Sequence, residues 1–324
     1  MTKQHAKHAW VLLLLAGVSA PAMAQSNLLI SGVVDQGVRH TSLASGGSLT
    51  EVSKNWDNRL GFTGTEDLGG GLKAFFGLEM GFSADTGTLN GNLGFDRYSR
   101  VGLSGSFGEF FLGRFYSPAH VGAAMVDPWG VEGPAGNFKY TNANAFANGN
   151  LGGVRMSNSV QYVSPTMGGF TLWLAAAPSE GGTTTGVNSS RTSGSLRYNS
   201  GPTTVTTAFD RADADNRFWL VNGSYDFGAF DVRLHYSASK LAGSSGKSWL
   251  AASNIPVTAS NVLMVGYGKY DDKGPANADS SKFTVGAKHY LSKRTNLYLN
   301  VASESINGMP RRQSMSEVGI THSF

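Results

Sequence analysis

The chain has no cysteine. That excludes disulfide frameworks, thiol nucleophiles and thiolate metal sites. No stretch after the first residues reaches the ~18 consecutive apolar residues of a transmembrane helix candidate. Charged residues make up only 15% of the chain, against about 25% in soluble domains. Motifs of common catalysis are missing too: there is no His-Glu-x-x-His, no Gly-x-Ser-x-Gly and no phosphate loop. Of seven histidines, His5 and His8 fall in the first 24 residues. The formal charge of +4 is too weak a basic balance to point to nucleic acid, and basic runs stop at pairs such as Lys293-Arg294 and Arg311-Arg312.

Glycine is plentiful, at 43 of 324 residues, where ~7% is usual. Such a content opposes helix and suits tight turns and close strand packing. Lys3, His5, Lys7 and His8 precede the apolar stretch Trp10 to Val18, and Ala22-Met23-Ala24 has the small-x-small pattern of a cleavage site. Residues 1–24 are therefore expected to be an export signal, with a mature start at Gln25 and a single domain over 25–324. Removing Lys3 and Lys7 lowers the formal charge from +4 to +2.

The rest alternates apolar and polar residues over segments of about ten, divided by turns or polar loops. Tight turns are expected at 66–71, 105–108, 165–168, 199–202, 226–229, 256–260 and 291–294. Longer loops are expected near 41–53, 84–94, 117–150, 179–190, 212–216, 241–247, 271–280 and 307–313. Seven turns alternating with eight loops join sixteen strands, an even number with turns at one end and loops at the other. The segment 248–256 alternates poorly. Along Leu72 to Met80 the apolar side chains share one face, while Lys73, Gly77 and Glu79 share the other; 219–227, 232–236 and 283–288 divide likewise. In a sandwich the apolar face would be the core; in a membrane barrel it faces lipid and the polar face lines water. The last residues favour the barrel. Val318, Ile320, His322 and Phe324 lie on one strand face, and an amphipathic strand ending in an aromatic suits closure of a barrel, with Phe324 at the membrane interface.

Several segments resemble the general porins of Gram-negative bacteria, most nearly the trimeric porins of β-proteobacteria. They are Arg59-Leu60-Gly61-Phe62-Thr63-Gly64-Thr65-Glu66-Asp67-Leu68-Gly69, Val101-Gly102-Leu103-Ser104-Gly105 with Leu112-Gly113-Arg114, Asn158-Ser159-Val160-Gln161-Tyr162 with Ser164-Pro165, Leu291-Ser292-Lys293-Arg294-Thr295 and the closing Val318 to Phe324. The resemblance implies a transmembrane antiparallel β-barrel of about sixteen strands, a homotrimer in the outer membrane amid lipid and lipopolysaccharide. It implies passive diffusion of small hydrophilic solutes and inorganic ions, with no reaction and no cofactor, and a third external loop folded into the lumen. Residues 117–150 are the longest connection, and a loop of that length is usually functional.

Carried over from the family, the basic side of a pore constriction falls on Arg59, Arg97 and Arg155. Strand parity points Arg59 and Arg155 inward. It points Arg100 rather than Arg97 inward, unless a bulge intervenes or the strand starts later, so both stay candidates. The acidic loop side would be Asp127 and Glu132, the only two acids in 117–150. Lys73, Arg197, Arg233, Lys282 and Lys288 add inward positive charge, largely offset by Asp35, Glu79, Asp226, Glu304 and Glu317, so weak anion selectivity is expected. Two other classes compete: a secreted β-sandwich adhesin or lectin, and an outer-membrane hydrolase built around His235 or His289. Asp213, Asp215, Asp271 and Asp272 read as solvated loop charge more readily than as a cation site.

Overall fold

A computed structural model of the chain describes residues 27–90, 94–147, 151, 153–179 and 190–324. The expected export signal, 1–24, lies outside the described residues. Seventeen strand segments form one sheet. β1 (Asn27–Ser42) is long and pairs with two partners on one side: its second half with β2 (Ser48–Ser53), its first half with β3 (Arg59–Gly69). β2 and β3 thus share one place in the wall, which leaves sixteen places. On its other edge β1 pairs with β17 (Gln313–Ser323) from Val33–Ser323 to Ser42–Ser314. The sheet closes on itself through β1 and β17, as a wall in hydrocarbon requires; among the described residues only the short β2, paired with β1 alone, keeps a free edge.

Each expected tight turn falls between two paired strands. β3 meets β4 (Leu72–Gly81), and β5 (Tyr98–Gly105) meets β6 (Gly108–Tyr116). β7 (Arg155–Val163) meets β8 (Phe170–Ala177), and β9 (Arg191–Ser200) meets β10 (Thr203–Arg211). β11 (Arg217–Asp226) joins β12 (Asp231–Leu241), β13 (Ser244–Thr258) joins β14 (Asn261–Asp272), and β15 (Ser280–Tyr290) joins β16 (Thr295–Ile306). The three glycines 69–71 all have positive φ, a conformation that only glycine adopts at no steric cost.

Two expectations need correction. The stretch 241–247 is no long loop: β12 ends at Leu241 and β13 starts at Ser244, so Ala242 and Gly243 alone make the turn. And the second half of the loop expected at 41–53 is strand, β2. The poorly alternating 248–256 is strand as expected, wholly within β13, one of the longest.

Val101, Leu234, Val285, Leu299 and Val318 all point out and are exposed. Aromatic pairs flank this apolar belt. Phe170–Tyr198 and Phe227–Phe230 lie towards the tight turns, Trp219–Tyr236 and Trp249–Tyr267 closer to the loops. Girdles of that kind mark the two membrane interfaces of a barrel. Among the described residues no helix is long and apolar enough to cross a membrane.

At the seam, Gly32 and Phe324 exchange backbone hydrogen bonds, each 3.1 Å. A Cβ on Gly32 would come within 2.6 Å of the Arg59 carbonyl oxygen and 2.5 Å of the Phe324 ring. Glycine at this position lets the chain end lie flat against β1.

Candidate functional site

The stave shared by β2 and β3 is broken at residues 54–58, and side chains replace the missing ladder. The Asn55 N–H donates to Asp35 Oδ1 (2.7 Å), the Asp35 N–H to Asn58 Oδ1 (2.6 Å), and Arg39 to the Lys54 carbonyl (2.6 Å). The Asp57 N–H donates to Glu132 Oε2 at 2.5 Å. Buried backbone polar groups need such partners.

This break brings Asp57 beside Arg97. Arg97 Nε donates to Glu79 Oε1 (2.7 Å), Nη1 to Asp57 Oδ2 (2.8 Å) and Nη2 to the Tyr116 hydroxyl (2.8 Å). Glu132 Oε1 stands 4.0 Å from the same Nη2. Arg59, the first residue of β3, lies 3.8 Å from Glu79 and over the Trp56 ring. Arg155, the first residue of β7, donates to the Tyr116 hydroxyl at 2.7 Å with its guanidinium over that ring. Tyr116 therefore joins Arg97 and Arg155. The structure brings Arg59, Arg97, Arg155 and Glu132 into one cluster, with Glu79, already counted as an inward acid, and with Asp57 and Tyr116, which charge counting missed.

The parity problem at Arg97 has a simple origin. β5 begins at Tyr98, so Arg97 precedes the strand and its side chain is free of the alternation. Arg100 also points in, but into a different setting: its guanidinium lies 4.1 Å from the Phe115 ring centroid and 4.8 Å from that of Phe111. Arg114, named in the sequence only as part of a matching segment, donates to the Asp96 carbonyl (2.7 Å) and to Ser157 Oγ (2.5 Å).

Asp127 has other partners than the expected arginines. Its carboxylate accepts from the N–H groups of Val131 and Asn137 (2.8 Å each) and from Asn137 Nδ2 (2.9 Å). It is 3% exposed and holds its own loop together. That loop carries α1 (Pro118–Ala124), capped by Ser117, and α2 (Phe138–Asn142). It packs on the polar face of the wall. Trp129 Nε1 donates to Asn300 Oδ1 (2.9 Å), Tyr140 to Glu304 (2.7 Å), Asn222 to the Gly122 carbonyl (2.8 Å) and Ser239 to that of Ala143 (2.5 Å). Lys282 donates to the carbonyls of Pro134 and Gly136. Beneath the loop that face turns apolar: Phe218, Leu220, Leu250 and Met264 are buried there, of the same parity as polar neighbours such as Asn222.

Electrostatics follow from the packing. Burial raises the Asp57 carboxyl, but Lys54 and then Arg97 outweigh it and hold it below its ordinary value. Burial, then the Asp57 charge, raises Glu132 above its ordinary 4.5. His120 on α1 is pushed down to about 3 by burial, then by Arg155 and Arg191, so it adds no positive charge at neutral pH. His289 Nδ1 meets Asn261 (2.8 Å), and both ring nitrogens of buried His235 lack a hydrogen-bond partner. Among the described residues, neither ring makes a hydrogen bond to a serine or a carboxylate. Asp213 accepts from the next turn's N–H groups, while Asp215 and Asp271 pair with Lys240 and Lys273.

A closed sixteen-place barrel with an arginine cluster on its polar face has clear counterparts among known proteins. A family model described as Gram-negative porin matches residues 9–308. The chain belongs to the Gram-negative porins. Outer membrane porin protein 32 of Delftia acidovorans is 31% identical, over 91% of this chain and 89% of that one. An outer membrane porin protein of Bordetella pertussis is 26% identical, over 88% of this chain and 90% of the relative. Among solved structures, an anion-selective porin from Comamonas acidovorans superposes with a TM-score of 0.81 at 27% identity, covering 93% of this chain and 100% of that one. As a porin the chain forms a water-filled channel in the outer membrane of a Gram-negative bacterium, and small hydrophilic solutes and ions cross it by passive diffusion.

Proposed function

We propose that the 117–150 loop lies within the lumen as the constriction of this porin, and that the pore is weakly anion-selective. Arg59, Arg97 and Arg155 form its basic side, and Glu132 its acidic loop side. One observation carries the sign: Arg155 is bound to a tyrosine hydroxyl and, among the described residues, no carboxylate stands within 4.0 Å of it, whereas Glu79, Asp57 and Glu132 all lie against cations. Arg100 and Lys288 likewise lack a carboxylate partner among the described residues. Unpaired positive charge in a narrow passage concentrates anions and repels cations. The hydrogen bonds between loop and wall support the loop's position. The anion-selective relative at 27% identity supports the sign.

In a KCl gradient across a planar bilayer, the reversal potential has the sign of chloride preference. Acidification strengthens that preference. As pH falls through the raised Glu132 value, this carboxylate takes up a proton and loses its charge. Asp57, held low, stays ionised through that window, and the arginines stay charged throughout. The net positive charge of the cluster thus rises by one. A chloride preference that weakens from pH 7 to pH 4 refutes this role for Glu132.

The porin is further proposed to work as a homotrimer, its remaining outer surface against lipid and lipopolysaccharide. Support comes from the kinship alone. Cross-linking in mild detergent yields a three-chain species; a product that stops at one chain refutes it.

A further inference from the structure

Beside the arginine cluster, the inner wall and the outer face of α1 enclose a pocket of about 400 Å³. Four aromatic rings line it: Phe111, Phe115, Tyr116 and Trp173. Phe115 stands centrally, 5.4 Å from Phe111, 5.7 Å from Tyr116 and 6.0 Å from Trp173 between ring centroids. Two cations open into the same space, Arg100 and Arg197. A size above ~300 Å³, apolar walls and a few convergent polar groups are the usual marks of a small-molecule site.

Neither cation is satisfied in an ordinary way. Arg100 is packed among rings; among the described residues no carboxylate stands within 4.0 Å of it, and its buried Nε has no hydrogen-bond partner. The side-chain bond of Arg197 goes to the Met125 thioether on α1, 3.6 Å away. A thioether is a weak acceptor, which a carboxylate displaces readily. Tyr116 connects the pocket to the cluster above, since its hydroxyl accepts from both Arg97 and Arg155.

We propose that this pocket is a binding site for aromatic monocarboxylates on their way through the channel. The ring of such a solute packs edge-on or offset against Trp173 and Phe115, and its carboxylate accepts from the Arg100 and Arg197 forks. Glu109 also lines the pocket, and its negative charge disfavours a second carboxylate on the ligand. Chloride and acetate have the charge but no ring, so they pass without being held.

The inference rests on the channel reading, which KCl conductance tests separately. The probes are benzoate and acetate, added to the porin in a planar bilayer carrying KCl current. Benzoate reduces or interrupts the current in a saturable way, and acetate at equal concentration does not. Arg100→Gln, which removes a charged hydrogen-bonding partner, raises the half-blocking concentration roughly tenfold or more. Trp173→Ala raises it as well. Quenching of intrinsic fluorescence by benzoate in detergent reads binding without conduction; it saturates in the wild-type protein and is largely lost in Trp173→Phe. Equal effects of benzoate and acetate on the wild-type current overturn the proposal. So does an unchanged half-blocking concentration in a conducting Arg100→Gln channel.

Discussion

Arg97→Gln turns the pore towards cations, and the reversal potential in a KCl gradient changes sign. Arg97 is the one side chain that touches Glu79, Asp57 and Tyr116 at once and approaches Glu132. Its removal subtracts one positive charge and leaves the Glu79 and Asp57 carboxylates without this cation, so the cluster's net charge falls by one and its acids face the passage less compensated. A single charge acts on an ion ~4 Å away with about 1 kcal/mol even in bulk water, a factor of about five in relative permeability. The lumen is less polarisable than bulk water, so the effect is at least of that order. Arg155→Gln also subtracts one positive charge and shifts selectivity in the same direction. Breaking a buried pair also costs about 3–5 kcal/mol of stability, so the thermal transition of the variant falls. If the chloride preference survives in a folded Arg97→Gln channel, the arginine merely braces the wall.

Asp127→Ala produces the second large effect: conductance rises, and larger sugars enter in a liposome-swelling assay. The residue closes the turn that places Trp129, Val131 and Asn137. Val131 has φ 62°, a strained conformation for a β-branched residue, and its N–H is held by Asp127. Each hydrogen bond to a charged group contributes about 1.5–3 kcal/mol; Asp127 accepts three. Losing them frees the 127–137 turn while the ladder of the wall stays intact, an instance of local rather than global unfolding. The barrel still resists denaturation in detergent. Unchanged conductance and sugar exclusion in that variant place the narrowest point away from this loop.

Most of the wall was legible because its signals are local. Seven turns have their own chemistry: six were found where glycine, proline or asparagine punctuates the alternation, and the seventh at the polar Ser292-Lys293-Arg294. The loop ends were harder. Leu241-Ala242-Gly243-Ser244-Ser245-Gly246 reads as a loop by composition, yet Ser245 pairs with Lys240 and Gly246 with Asp272. Beyond the lipid belt a ladder needs only backbone, so small polar residues extend strands there. The inner apolar residues Phe218 and Leu220 defied the rule that the inside is polar, because a segment distant in sequence covers them. That Arg59, Arg97, Arg155 and Glu132 stand together was readable from the family pattern; their role as a constriction is a proposal. Of the two loop acids, Asp127 is not among the partners of the arginines, and nothing in a count of acids distinguishes a carboxylate that faces water from one that binds its own backbone. Asp57 and Tyr116 were missed because the break at 54–58 has no mark in the alternation.

That break also bears on the order of assembly. The N–H of Asp57 is satisfied by a carboxylate 75 positions later in the chain. Until the segment around Glu132 arrives, the stave made by β2 and β3 cannot be completed without stranding a backbone donor in the wall. The portion synthesised among the first is thus finished among the last, and a contact of such sequence separation is slow to form. A chain whose long loop is misplaced carries its defect at the β1–β3 junction, next to the seam where β17 must dock. Closure of the ring and seating of the loop are thereby tied into one event.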